Sequence, residues 1–280
     1  MKIFYTSSAK HLISKLPKGK FLIKRFSDQE IYLKIQENVA GKNVCVLGST
    51  FPPAENILEL FFLLDALKRE KAKIHLIVPY FGYARQDQIK KGEAFSGKIL
   101  SEWFRDFQLK RIDILSMHSN KLKEYFDYEN SIPMGHYLSV AKKADILIAP
   151  DKGALPLTKA ISKALSLPII SMEKVRPYHE KAHVKLFDGQ VFGKKVLIIE
   201  DMIVTGGTIL EATKLLLRKK AKEVSVIATH GIFSSDAIAK IEKSPIHKVY
   251  ITNSIPQKNC ISKIKVFNLS SWIASLLKKQ

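Results

Sequence analysis

Short apolar runs alternate with longer amphipathic segments along most of the chain, and the runs tend to end in small or charged residues. Runs of four to six residues suit buried strands, and segments with apolar positions three and four apart suit helices. Alternating in this way, they predict an α/β protein with mainly parallel sheets flanked by helices. Strands are predicted at 20–25, 31–36, 43–48, 74–78, 112–116, 145–149, 168–171, 184–186, 196–199, 224–228, 248–251 and 264–266. Helices are predicted at 53–70, 95–107, 119–125, 135–142, 154–166, 207–220, 234–243 and 269–278. The two runs within 20–36 also fit a hairpin that turns near Ser27–Glu30.

The rhythm contains a repeat. Lys42 to Gly82 parallels Lys194 to Phe233, about 150 residues later: strand, loop, long helix, a Lys-Ala-Lys connector, strand. Where the first copy reads GSTFPPAEN, the second reads EDMIVTGGT. Two tandem domains are therefore expected, 1–142 and 143–280, with the last helix free to pack back on the first. Only the second copy keeps an acidic pair and a glycine turn.

Composition narrows the setting. No apolar run is long enough to span a membrane, since ILELFFLLDAL is short and interrupted by Glu59 and Asp65. The amino terminus lacks the long apolar segment and cleavage site of a secretory signal. Cys45 and Cys260 cannot form a disulfide framework, and a reducing cytoplasm is expected. A net charge of +20 admits nucleic acid, an acidic surface or small polyanionic substrates. The lysines come in scattered pairs such as Lys142-Lys143, Lys194-Lys195 and Lys219-Lys220, with no basic segment interleaved with aromatics. Neither a membrane nor a nucleic acid is the expected partner.

The densest chemistry lies in VLIIEDMIVTGGTILEA, Val196 to Ala212. A parallel strand is expected to end at Ile199 or Glu200, and ligands of open α/β sheets sit beyond such ends. Gly206 and Gly207 allow a tight turn, Thr205 and Thr208 add hydroxyl donors, and a helix starting near Thr208 offers its positive end to a phosphate. Glu200 and Asp201 suit sugar hydroxyls or a metal-bound sugar. A sugar phosphate would satisfy both halves; an ordinary capped helix is the plainer alternative.

IIEDMIVTGGT resembles the phosphoribosyl-pyrophosphate motif shared by type I phosphoribosyltransferases and ribose-phosphate pyrophosphokinases. FSDQE (Phe26–Glu30), PYFGYARQD (Pro79–Asp87), GEAFSGK (Gly92–Lys98), MHS (Met117–Ser119), APDKGA (Ala149–Ala154) and EKVRP (Glu173–Pro177) resemble signatures of the pyrophosphokinases, in that family's order. The resemblance implies two tandem type I phosphoribosyltransferase-like domains. It also implies transfer of the β,γ-diphosphoryl group of ATP to O1 of ribose 5-phosphate, giving phosphoribosyl pyrophosphate and AMP.

The same resemblance distributes the work. Arg85 and Gln86 would bind ATP, helped by Phe26, Asp28 and Glu30 from a loop that reaches a neighbouring subunit in the family, so a homodimer or larger homo-oligomer is implied. Guanidinium and amide groups suit that role, stacking on a base or forking onto phosphates. His118 and Asp151, each after an apolar run, would hold Mg²⁺. Lys174 and Arg176 would be catalytic, on a loop between strands 168–171 and 184–186. Arg176, Glu200, Asp201, Val204, Thr205, Gly206, Gly207 and Thr208 would bind ribose 5-phosphate. On residue types alone, RQD is equally a surface loop, EKVRPYHEKAHV a solvated basic loop, and His118 a turn histidine. The chain departs from the family pattern at Gln29 (usually Gly), Ser116 (usually an acid), Val204 (usually Asp or Ser) and Glu200 (usually Asp). A phosphoribosyltransferase and a non-catalytic regulatory homologue are the alternative functions.

Overall fold

The strands in the computed structural model are β1 (Lys2–Tyr5), β2 (Phe21–Arg25), β3 (Ile31–Ile35), β4 (Asn43–Leu47), β5 (Lys73–Val78), β6 (Arg111–Leu115), β7 (Glu129–Ser131), β8 (Ile146–Ala149), β9 (Ile169–Val175), β10 (His183–Leu186), β11 (Lys195–Ile203), β12 (Glu223–Gly231), β13 (Val249–Thr252) and β14 (Ile264–Phe267). The helices are α1 (Glu55–Arg69), α2 (Ser96–Asp106), α3 (Met134–Ala141), α4 (Leu155–Leu165), α5 (Gly207–Arg218), α6 (Ala237–Lys243) and α7 (Ser270–Leu277). The structure describes residues 1–13, 16–175, 183–186, 190–257 and 261–278. These divide into two units, 1–132 with 254–256 and 268–280, and 133–253 with 257–267.

In the first unit five parallel strands run in the order β1-β4-β5-β6-β7. Period-two alternation sends their side chains to two cores. Phe4, Val44, Val46, Ile74, Leu76, Ile112 and Ile114 meet α1 and α2, through Leu60, Leu63, Leu67, Leu100 and Phe104. Ile3, Cys45, Leu47, Ile77 and Leu115 meet Leu269, Ile273 and Leu276 at the chain's end. The β2–β3 pair is a separate antiparallel ribbon, as its hairpin reading anticipates.

A polar group is buried on the second face. The Asp113 carboxylate accepts from His75 Nε2 at 2.6 Å, from Arg111 Nε at 2.6 Å and Nη2 at 2.9 Å, and from Ser131 Oγ at 3.0 Å. Burial alone would raise its pKa, but the hydrogen bonds and the neighbouring His75 outweigh that and hold it at about 2.

The second unit is a seven-stranded sheet, β10-β9-β8-β11-β12-β13-β14, parallel except for the β9–β10 pair. Ile209, Ala212 and Leu216 of α5 and Ile241 of α6 join one core with Ile148, Ile198, Val226 and Ile251. The division between units falls at Ile132/Pro133, whereas the sequence places it at 142/143, so α3 goes with the second unit. The physical reason is Tyr137, fully buried, whose hydroxyl donates to the Glu200 carbonyl at 2.9 Å and lies 2.8 Å from Thr229 Oγ1.

Several elements differ from the sequence reading. β1 and β7 are short edge strands that it does not predict, and the segment expected as a helix at 119–125 is a 3-10 turn, Asn120–Glu124. β9 extends to Val175 because Met172–Val175 pair with β10. β11 extends to Ile203, since β12 continues beside it as far as Gly231.

Candidate active site

The order of the second sheet reverses between β8 and β11. From β8 the chain crosses to β9 on one side, and from β11 to β12 on the other. Such a reversal opens a crevice at the carboxyl ends of the two strands, the usual ligand seat of this architecture. Asp151 follows β8, and Glu200 and Asp201 lie in the last part of β11. β8 pairs with β11 only as far as Ile198, so beyond it β12 is the one described strand alongside β11. The acidic pair thus stands inside the strand rather than past its end. Successive residues face opposite sides of the sheet, which leaves Glu200 buried and Asp201 half-buried.

The turn that follows is built for close approach. Gly206 has φ +76° and caps α5, which begins at Gly207, the predicted first residue of helix 207–220. A Cβ at Gly206 would meet nothing nearer than 3.8 Å, so the backbone angle itself calls for glycine. The first N–H groups of a helix have no acceptor within it. No acidic side chain occupies the first turn of α5, and the Gly207 N–H contact to Thr205 Oγ1 is long, at 3.5 Å. Thr205 and Gly207 are exposed, with Val204 and Thr208 half-buried.

The first copy of the repeat is the internal contrast. Its loop is closed on itself: Ser49 N–H donates to Ser8 Oγ at 3.0 Å, Thr50 N–H to the Tyr80 carbonyl at 3.0 Å, and Gly82 N–H to Thr50 Oγ1 at 2.7 Å. Glu55 sits in the first turn of α1, where an anion would otherwise go. The same topology therefore leaves an exposed turn at the helix start in one copy and a hydrogen-bonded loop in the other.

The first unit presents its own polar residues at strand ends. Arg85 and Gln86 are exposed on the loop after β5, where the Gln86 N–H donates to the Tyr83 carbonyl and its carbonyl accepts from Gly97. His118, exposed, follows β6. Phe26, Asp28 and Glu30 are exposed at the β2–β3 turn, with Asp28 Oδ1 accepting from Glu30 N–H at 3.1 Å. Gln29 has φ +75°, in the left-handed region that only glycine adopts without strain. Lys174 lies on β9, in register with Val184, not in the loop expected from sequence. Arg176 lies outside the described residues.

Among the described residues no three His, Cys, Asp or Glu side chains gather as a metal cage. A hard divalent cation that takes most of its ligands from phosphates and water needs only one or two protein groups. Asp151 fits that chemistry: Oδ1 accepts the Ala154 N–H at 3.1 Å, fixing the carboxylate at the end of β8.

Residues 1–106 match the model of the N-terminal domain of ribose phosphate pyrophosphokinase, and residues 139–279 that of the phosphoribosyl synthetase-associated domain. The chain is 33% identical to the ribose-phosphate pyrophosphokinase of Fusobacterium nucleatum, covering 99% of this chain and 94% of that one. It is 34% identical to the enzyme of the same name from Mycoplasma genitalium, over 96% of this chain and 88% of that one. The chain belongs to the ribose-phosphate pyrophosphokinase family. Its fold agrees with that of the phosphoribosylpyrophosphate synthetase of Mycobacterium smegmatis, with a TM-score of 0.85, 26% identity, and coverage of 99% and 97% of the two chains. Matches that run through both units of a ribose-phosphate pyrophosphokinase do not favour the phosphoribosyltransferase or regulatory alternatives. No helix among the described residues is long and apolar enough to cross a membrane.

Sequence reasoning missed Tyr137, which anchors the strand bearing the acidic pair. Its signal was present in MGHYLSVA, where Tyr137 occupies the helical position in line with Val140 and Ala141.

Proposed function

We propose how the residues of this ribose-phosphate diphosphokinase divide the transfer of the β,γ-diphosphoryl group from ATP to O1 of ribose 5-phosphate. The turn Val204–Thr208 and the start of α5 take the 5-phosphate, where backbone N–H groups and the helix end favour a dianion. Asp201 and Glu200 orient the ribose hydroxyls, so that O1 is aimed at the β-phosphorus. Arg85 and Gln86 hold the nucleotide, with Phe26, Asp28 and Glu30 contributed by a second copy. As O1 bonds to the β-phosphorus, the bond to the α,β-bridging oxygen breaks and AMP leaves. Lys174 and Arg176 neutralise charge on the oxygens of the transferred group, which is most of what an enzyme supplies to phosphoryl transfer. His118 and Asp151 are the residues that would hold Mg²⁺, whose chemistry is to neutralise phosphate oxygens and align the ATP chain.

One observation carries this reading: a glycine turn leads into the start of α5, next to two carboxylates, at the strand-order reversal of the second sheet. A homo-oligomer is supported by Leu58 and Phe62 on α1 and Ile99 and Trp103 on α2, all exposed and each pair one helical turn apart. A reducing, cytoplasmic setting is supported by Cys45, a buried free thiol. We take the net charge of +20 as surface solubility rather than a nucleic-acid footprint.

The test is AMP production. With Mg²⁺, AMP should form from ATP only when ribose 5-phosphate is present, in step with phosphoribosyl pyrophosphate. AMP released without the sugar, or none with it, refutes the assignment.

A further inference from the structure

At the other end of the second sheet, away from the Asp201 turn, lies a cavity of about 270 Å³. It opens between the end of α3 and the first residues of β11, β12 and β13. Val140, Ala144, Val196 and Leu197 give it an apolar floor. Lys143, Lys195, His247, Glu223, Ser225 and Tyr250 make up the polar lining.

The charges are unbalanced towards the positive. Among the described residues neither the Lys143 nor the Lys195 ammonium has a carboxylate partner, although both are exposed at the rim. Of the nearest acids, Asp145 Oδ2 accepts the Lys195 backbone N–H at 2.7 Å, and Glu223, itself in the lining, has Oε2 3.7 Å from His247 Nε2. An apolar floor with a few convergent polar groups and unpaired cations is the make-up of a small-ligand site.

We infer that this cavity binds a small phosphate monoester, distinct from the substrate seats. The phosphate would meet Lys143 and Lys195, and the body of the ligand would lie on Val140, Val196 and Leu197. Its hydroxyls would face Glu223, Ser225 and Tyr250. Charge alone would suit any anion; the floor and the acceptor Glu223 select one that carries an organic, hydroxylated body. A sugar phosphate and a nucleoside monophosphate share that chemistry. β11 runs from Lys195 at this cavity to the Glu200–Asp201 pair, so one strand connects the two sites without sharing a ligand between them.

Isothermal titration of the full-length enzyme would use ribose 5-phosphate, AMP and inorganic phosphate as separate probes. Titrations are run on the wild type, on Lys143→Met/Lys195→Met, and on Asp201→Asn. At least one of the two esters should show a class of sites that survives Asp201→Asn and weakens tenfold or more in the double-lysine variant, where the methionine stems keep the packing. Inorganic phosphate should bind that class more weakly than the ester does. Which ester binds there distinguishes a sugar phosphate from a nucleotide. The inference is overturned if both esters bind the double-lysine variant as they bind the wild type, or if every class of sites disappears with Asp201→Asn. Lys195→Gln alone, tested in the same way, reports on the cavity should the double variant not fold.

Discussion

Tyr137 in α3 donates its hydroxyl hydrogen to the backbone carbonyl of Glu200 in β11, at 2.9 Å. The phenol is fully buried, and burial first, then the nearby Asp201 and Glu200 charges, keeps its pKa well above the ordinary value, so it stays a neutral donor. It therefore fixes the strand at the residue where the acidic pair begins. Tyr137→Phe should cost about 1–2 kcal/mol of stability, the value of a buried hydrogen bond left unmade. It should also raise the KM for ribose 5-phosphate more than that for ATP, which steady-state kinetics with each substrate varied in turn would show.

Asp201 is the half-buried member of the pair. Asp201→Asn keeps the shape but removes the charge from the proposed hydroxyl contacts, and charge-assisted hydrogen bonds contribute roughly 1.5–3 kcal/mol. kcat/KM for ribose 5-phosphate should fall by about one to two orders of magnitude. An equal fall for a ribose 5-phosphate analogue lacking the ring hydroxyls would remove Asp201 from that role.

Lys174 should separate binding from chemistry. Lys174→Ala is expected to abolish most turnover while ATP binding, followed by titration, stays largely intact. Equal loss of both would assign the lysine to nucleotide binding instead.

Two left-handed positions carry opposite residues. Gly206, at φ +76°, needs its glycine, and Gly206→Ala should cost on the order of 1 kcal/mol from the backbone angle alone. Gln29, at φ +75°, already bears that strain, so Gln29→Gly should relieve up to about 1 kcal/mol at the β2–β3 turn. Denaturant midpoints of the two variants should move in opposite directions.

Asp113 makes stability depend on acid. Its pKa, about 2 in the folded chain, is depressed below the unfolded value of about 4. The contribution is complete above the unfolded value and is lost as pH falls through 4 towards 2, to the extent of about 2 kcal/mol. Midpoints measured from pH 5 to pH 2 should fall more steeply in the wild type than in Asp113→Asn. That variant should itself be less stable at neutral pH, by roughly 1.5–3 kcal/mol, because His75 and Arg111 lose their charged hydrogen-bond acceptor.

The parts of this fold that announce themselves locally were readable in advance. VLII before Glu200 is a buried strand by its apolarity, and Thr-Gly-Gly-Thr is a turn by its backbone freedom, so the turn and the start of α5 could be located from sequence. The strand's true end could not, because what extends β11 to Ile203 is β12, a partner that no local pattern names. The same holds for Lys174, which reads as loop until β10 pairs beside it. β7 is Glu-Asn-Ser, an edge strand with no apolar signal, since backbone hydrogen bonds to β6 alone define it. Tyr137 was overlooked for a related reason: its partners lie 63 and 92 residues away.

The order in which the chain leaves the ribosome matters for the first sheet. Leu269, Ile273 and Leu276 cover the face formed by Ile3, Cys45, Leu47, Ile77 and Leu115. During synthesis that oily surface stays bare until residues 269–276 have emerged, so a chain truncated before them would be sticky.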